Sequence, residues 1–396
     1  MNVSVIISEY NPFHRGHEYL IKRAKDSGAT HIIAIMSGNF VQRGDLAITS
    51  KYDRTKMALL SGVDLVIELP VIWALSSAEY FSDASIKIAN SLGCINTLSF
   101  GSECGDIDAL KNLAEILNYN NVKAKIQEKM SSGINYPKAR ETTIEHLYGD
   151  KLSNILKSPN NILALEYLKS LNKLNSKIKP FTIARKGNNH DETILDSNFP
   201  SASYIRNLIY NNKDYSNLLP KASSKILKEN INNFKAPANI YSIQAAILSK
   251  LRTMNKNDLY NICDVSEGLE NRIYKSIKVS KSLNELYSLI KTKRYTLSKI
   301  RRIILCSYLG ITKKDLKRDI PYIRILGFNS SKTELLKNIK KNSSLPIITK
   351  KSDVDNLNSN SKHIFNLEVV STDLYNLSTP QIQKCGLDIS QKMIIV

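Results

Sequence analysis

The stretch from Met1 to Leu20 constrains the fold more than any other part of the chain. Val3-Ser4-Val5-Ile6-Ile7 is an apolar run of the length of one buried strand, and Asn11-Pro12-Phe13 breaks it where a loop would leave the carboxyl edge of a sheet. A helix follows at once: Tyr19, Leu20 and Ala24 lie on one side, with Glu18, Lys22, Arg23 and Lys25 on the other. The same alternation continues with His31 to Met36 as a strand, Lys51 to Leu60 as a helix, Asp64 to Ile67 as a strand, Ser76 to Leu92 as a helix and Ile95 to Phe100 as a fourth strand. Such repetition predicts an α/β fold with a Rossmann-like parallel sheet covered on both faces, whose ligands sit outside the carboxyl ends of the strands.

His14-Arg15-Gly16-His17 opens the first helix. Two imidazoles three residues apart, a backbone without a Cβ between them, and the positive end of a helix together make a cradle for phosphate. The plainer reading is a pair of surface histidines capping a helix. The strand ends add polar loops at Ser8 to Asn11, Ser37 to Gly44 and Gly101 to Glu103, enough for a nucleotide pocket. Lys51 and Arg54 could add charge to a triphosphate or could simply be solvated. A further strand is predicted over Ile178 to Ala184, and Ser201 to Arg206 puts small hydroxyls at a helix start with a guanidinium one turn in. That arrangement suits phosphate oxygens, although a serine N-cap explains it as well.

Charge separates the two parts of the chain. Residues 1–150 hold 15 Lys and Arg against 17 Asp and Glu, whereas the stretch from 221 onward holds 31 against 14. Such asymmetry points to a polyanion held by the second half, where tyrosines interleave with cations at Tyr274 to Lys278 and from Lys291 to Arg302. Tyrosines half-buried under lysine stems would look the same. Five scattered cysteines without a Cys-x-x-Cys pair argue against a zinc site, and no metal ligands are expected in the protein. No run of eighteen apolar residues appears, so no membrane partner is expected and the location is read as cytoplasmic. The expected organisation is a nucleotide-binding domain over 1–219 and a basic, mainly helical domain over 220–396 that holds the polyanion, the first able to act without the second.

The histidine stretch resembles the HIGH-type nucleotidylyltransferase signature, and Ser201 to Arg206 resembles the later I-S-S-T-x-I-R motif of that superfamily, with Ala202 where a hydroxyl is common. Asn11 to His17, Ser37 to Gly44, Asp64 to Pro70, Phe100 to Glu103, Tyr136 to Arg140 and Lys293 to Arg302 together resemble the tRNA(Met) cytidine acetate ligase family. The resemblance implies activation of acetate by ATP as acetyl-adenylate and transfer of the acetyl group to the wobble cytidine of elongator tRNA(Met), giving N4-acetylcytidine. It implies ATP contacts along Ile7, Ser8, Glu9, Tyr10, Asn11, Pro12, Phe13, His14, Arg15, Gly16, His17, Glu18, Tyr19 and Leu20, and at Gly101, Asn161 and Arg185. Arg185 is followed by Lys186-Gly187-Asn188-Asn189-His190, where a more apolar continuation is expected.

On this reading His14 and His17 are catalytic and donate to the departing pyrophosphate. Ser201, Ser203 and Arg206 approach from the other side, Mg²⁺ bridges the phosphates, and Lys293, Arg294, Arg301 and Arg302 meet the tRNA. Two rivals are a transferase that adenylates a phosphorylated metabolite and a non-catalytic RNA-binding protein.

Overall fold

The computed structural model of the chain describes residues 1–185, 200–266 and 268–396. In chain order the strands are β1 (Val3–Ser8), β2 (His31–Ser37), β3 (Phe40–Val41), β4 (Asp45–Leu46), β5 (Leu65–Leu69), β6 (Thr97–Ser102), β7 (Lys179–Ala184), β8 (Ile323–Phe328), β9 (Ile347–Ile348) and β10 (Ile394–Ile395). β3 and β4 form a hairpin of their own; the others make one sheet in the order β10-β8-β5-β2-β1-β6-β7, with β9 beside β8. From β5 to β7 all neighbours are parallel. β8 runs antiparallel to β5, and β9 and β10 run parallel to β8.

Every residue of β2 and β5 is buried. Helices cover both faces, which is why these strands read as continuous apolar runs rather than alternations. The chain passes from β1 through β2 to β5 on one side, then crosses to β6 and β7 on the other. Connections therefore diverge at the carboxyl end of β1, and a crevice opens there.

The four opening strands and the helix Lys51–Leu60 lie within two residues of their expected bounds. The second half departs from expectation. It is mainly helical, yet β8, β9 and β10 join the sheet built by the strands of the first 219 residues. Tyr322 to Phe328, apolar but for Arg324, covers the edge β5 would otherwise expose, and Ile394 and Ile395 pair in turn with the far side of β8. Asn342 to Lys362, which reads as loop, contains β9 and the short helix Lys351–Asp355.

A buried ionic cluster ties the halves together. Lys51 is fully buried, and its Nζ lies 2.6 Å from Glu68, 2.8 Å from Asp388 and 3.4 Å from Glu368. Arg324 reaches Glu68 at 2.9 Å and Asp388 at 3.3 Å. Tyr52 and Thr372 donate to Asp388 as well, and Glu368 accepts from the Val71 N–H. Burial, with Glu68 beside it, pushes the Glu368 carboxyl up to about 8. At neutral pH the cluster thus pairs two cations with two carboxylates and one neutral acid. Lys51 is accordingly no phosphate ligand, and a chain cut at 220 would leave it with Glu68 alone, which removes the basis for expecting the first part to act by itself.

Candidate active site

The loop after β1 turns sharply at Tyr10, whose φ of 46° places a bulky residue in the left-handed region. Arg54 holds this turn. Fully buried, it donates from Nε to the Thr49 carbonyl at 3.1 Å, from Nη1 to those of Glu9 at 2.6 Å and Ser37 at 3.1 Å, and from Nη2 to that of Gly38. It stitches the carboxyl end of β1 to that of β2 from beneath and does not face a ligand, contrary to the phosphate role open to it from sequence.

The helix Arg15–Asp26 begins with a reciprocal cap made by the two histidines. His14 Nδ1 accepts from the Gly16 N–H at 3.0 Å, and His17 Nδ1 accepts from the His14 N–H at 3.2 Å. The rings stack at 3.7 Å between centroids, and Tyr10 meets His17 edge-on at 4.9 Å. Burial, reinforced by Arg185 and Arg206, lowers His14 to about 3. Burial lowers His17 too, with His14 and Arg185 adding to the effect. Both rings are neutral, and with each Nδ1 accepting, each proton sits on Nε2. Capping and ligand binding are thus one arrangement: Nδ1 serves the helix, and Nε2–H remains as a donor.

Gly16 has another use than the one expected. A Cβ there would lie 2.9 Å from His14 Cε1 and 3.0 Å from its Nδ1. The bare position makes room for the imidazole rather than for a ligand.

A cleft at the switch point is lined by Ile6 to Asn11, His14, His17 and Leu20, by Gln42 and Arg43, by Phe81, Phe100 and Gly101, by Asn160, Leu163 and Tyr167, and by Arg185, Ser201, Ala202, Ser203 and Arg206. Gly16 and Tyr19 line a smaller cavity beside it, together with His14, His17, Leu20, Gly101 and Arg185. Arg206 donates to the Asn11 carbonyl at 2.8 Å and reaches the Ser203 hydroxyl at 3.4 Å. Ser201 caps its helix by accepting from the Tyr204 N–H at 3.2 Å. Its hydroxyl proton remains available to the cleft.

Several expected ATP contacts fall elsewhere. Pro12 and Phe13 are buried outside the lining, Phe13 packing on Tyr10 at 4.7 Å, and Arg15 and Glu18 point to solvent. Asn161 is also absent from the lining. Its Oδ1 accepts from the N–H groups of Glu103 and Cys104 and its Nδ2 donates to Ile155, so it shapes the loop after β6 while Asn160 faces the cleft. The Lys186 to His190 continuation lies outside the described residues. Phe81, Leu163 and Tyr167 were not foreseen, because an aromatic or leucine on a helix face reads as core.

Among the expected tRNA contacts, Lys293 and Arg294 are exposed and Arg301 is half-buried over the Tyr287 ring. Arg302 is corrected: 7% exposed, it is paired at 3.0 Å with Asp264 and holds the interior together. Tyr274 lies under Lys256 and Lys278, as the plainer reading allows. The loop after β2 abuts this basic region, since a Cβ on Gly44 would come within 2.6 Å of Arg301 Cβ and of the Arg302 backbone nitrogen.

A family model described as HIGH Nucleotidyl Transferase matches residues 1–388. The chain is 42% identical over 402 residues to the tRNA(Met) cytidine acetate ligase of Thermoanaerobacter sp. (strain X514), with both chains covered in full. It is 44% identical over 364 residues to that of Clostridium novyi (strain NT), covering 88% of this chain and 90% of the relative. Crystal structures of Thermotoga maritima TmcAL, one apo and one bound with alpha-thio ATP, superpose with TM-scores of 0.94 and 0.93 at 31% identity over the whole of both chains.

Proposed function

This chain belongs to the HIGH nucleotidyl transferase family and, within it, to the tRNA(Met) cytidine acetate ligases, and from there we propose how its residues do the work of an ATP-dependent ligase that acetylates a tRNA cytidine. The observation that carries the reading is the pair of neutral, stacked imidazoles, each with Nδ1 committed to the helix cap, that line the same cleft as Arg185 and Arg206. Neutral rings held by their own backbone can donate to phosphate oxygens without first being desolvated at the moment of reaction.

ATP lies with its phosphates toward His14, His17, Arg185, Ser201, Ser203 and Arg206. An acetate oxygen attacks the α-phosphorus, the bond to the bridging oxygen breaks, and pyrophosphate leaves as charge grows on oxygens met by those donors. Acetate is already ionised, so this step needs no base. Mg²⁺ accompanying the nucleotide would supply further neutralisation of phosphate charge beside His14, His17, Arg185 and Arg206. The acetyl group then passes to N4 of the wobble cytidine of elongator tRNA(Met), which the exposed Lys293 and Arg294 and the half-buried Arg301 help to seat. No described helix is long and apolar enough to cross a membrane, and we place the reaction in the cytoplasm.

The test is to incubate the protein with ATP, labelled acetate and total tRNA and to identify the labelled nucleoside. Label in N4-acetylcytidine of tRNA(Met) supports the reading, and label elsewhere or nowhere overturns it. His14→Ala and His17→Ala should each lower acetate-dependent exchange of pyrophosphate into ATP by about 10²–10³-fold. Near-normal exchange in both would defeat the assignment.

A further inference from the structure

Glu9 is the single carboxylate among the described residues that line the cleft, against His14, His17, Arg43, Arg185 and Arg206. Both ATP and acetate are anions, so a carboxylate in their pocket opposes the binding of each. It suits a group that offers a hydrogen-bond donor, of which the ribose hydroxyls and adenine amine of ATP and the exocyclic amine of the cytidine are the candidates, and its place beside the loop that reaches Arg301 favours the last. Building on the function proposed above, we propose that Glu9 receives the exocyclic amine of the cytidine and takes its proton during acetyl transfer.

Placement supports this role. Arg54 holds the Glu9 carbonyl at 2.6 Å, and Oε1 accepts from the Gln42 N–H at 2.8 Å, so one oxygen is anchored, while among the described residues no hydrogen bond reaches the other. Through Gln42 the side chain sits on the β2 side, away from the smaller cavity shared by His14, His17 and Arg185. The same loop continues through Arg43 to Gly44, which packs on Arg301. Glu9 is thus linked through this loop to the helix Leu297–Leu309, which carries Arg301.

The chemistry requires such a group. The N4 lone pair of cytidine is delocalised into the ring, so N4 is a poor nucleophile, and the proton it sheds as the C–N bond forms needs an acceptor. N4 attacks the acyl carbon of acetyl-adenylate, the C–N bond forms, the acyl C–O bond breaks with its electron pair leaving on AMP, and one N4 proton passes to the second carboxylate oxygen of Glu9 and then to solvent. Aspartate and glutamate are also the side chains that accept from cytosine N4 in direct base readout.

Glu9→Gln separates the steps, because the amide oxygen can still accept from the Gln42 N–H but cannot take a proton. Adenylation is read by acetate-dependent pyrophosphate exchange and by trapping with hydroxylamine, and transfer by single turnover of enzyme-bound acetyl-adenylate with tRNA(Met). Transfer should fall on the order of 10²-fold further than exchange, and Glu9→Asp should recover part of it. Equal loss in both steps would assign Glu9 to the nucleotide and overturn the proposal, as would unimpaired transfer. A parent protein that performs no exchange would instead sink the function proposed above.

Discussion

Replacing Gly16 by alanine should separate folding from chemistry. The position lies in the first turn of a helix and its φ is not in the left-handed region, so alanine should favour the helix by about 0.5–1 kcal/mol. The new Cβ, however, would sit 2.9 Å from His14 Cε1, where ordinary contact begins near 3.4 Å, so the ring must yield by about 0.5 Å. It is stacked on His17 at 3.7 Å and tied to the Gly16 N–H, and moving it loosens both restraints. A misplacement of about 1 Å commonly costs about 10²-fold in rate, and complete loss of such a donor about 10²–10³-fold. The expected loss in acetate-dependent pyrophosphate exchange is therefore about 10-fold to 10²-fold, with thermal unfolding at or slightly above the parent temperature. Exchange within about twofold of the parent, in a protein that melts normally, would show that the imidazole position does not matter and refute the reasoning.

Arg54→Met leaves the Glu9, Ser37, Gly38 and Thr49 carbonyls without their shared donor, and denaturant titration should show a loss of about 3 kcal/mol or more. Lys293→Ala should weaken tRNA binding and reduce its logarithmic salt slope by about 1, whereas Arg302→Ala, by stranding Asp264, should lower the melting temperature; the reverse pattern would exchange their roles. Acid should destabilise the fold through His14. Its unfolded form gains a proton below 6.5 while the folded form resists to about 3, so stability falls across that window as pH drops. Alkali acts through Glu368, which keeps its proton to about 8 in the fold but loses it above 4.5 when unfolded; stability falls as pH rises between those values. Glu368→Gln should flatten that decline in urea midpoints, and an unchanged slope would remove Glu368 as its source.

The nucleotide half was legible because its signals are local. An apolar run followed by a loop and a capped helix specifies β1 and the histidine pair from neighbouring residues alone, and β2 and β5 announce full burial by lacking polar alternation. The setting of Asn161 was illegible for the opposite reason: only the fold reveals that its amide also holds the loop after β6. Lys51 and Arg54 look like solvated helix residues, and nothing adjacent hints that Glu368, Asp388 or four carbonyls converge on them. Phe81 and Tyr167 line the cleft through packing of two helices on β6, which no single periodicity encodes. β8 did carry a signal in Ile323 to Phe328, but an isolated apolar run does not disclose that it pairs with β5, some 260 residues earlier.

The ionic cluster bears on how the polypeptide is born. Translation delivers Lys51 while its partner Glu368 is still 317 residues away, so the nascent nucleotide half must wait on the ribosome with a cation it cannot yet afford to bury. Acetate activation and RNA capture would mature in one event, and a message broken before Asp388 would supply work for proteases instead of a partial enzyme that consumes ATP without a tRNA to modify.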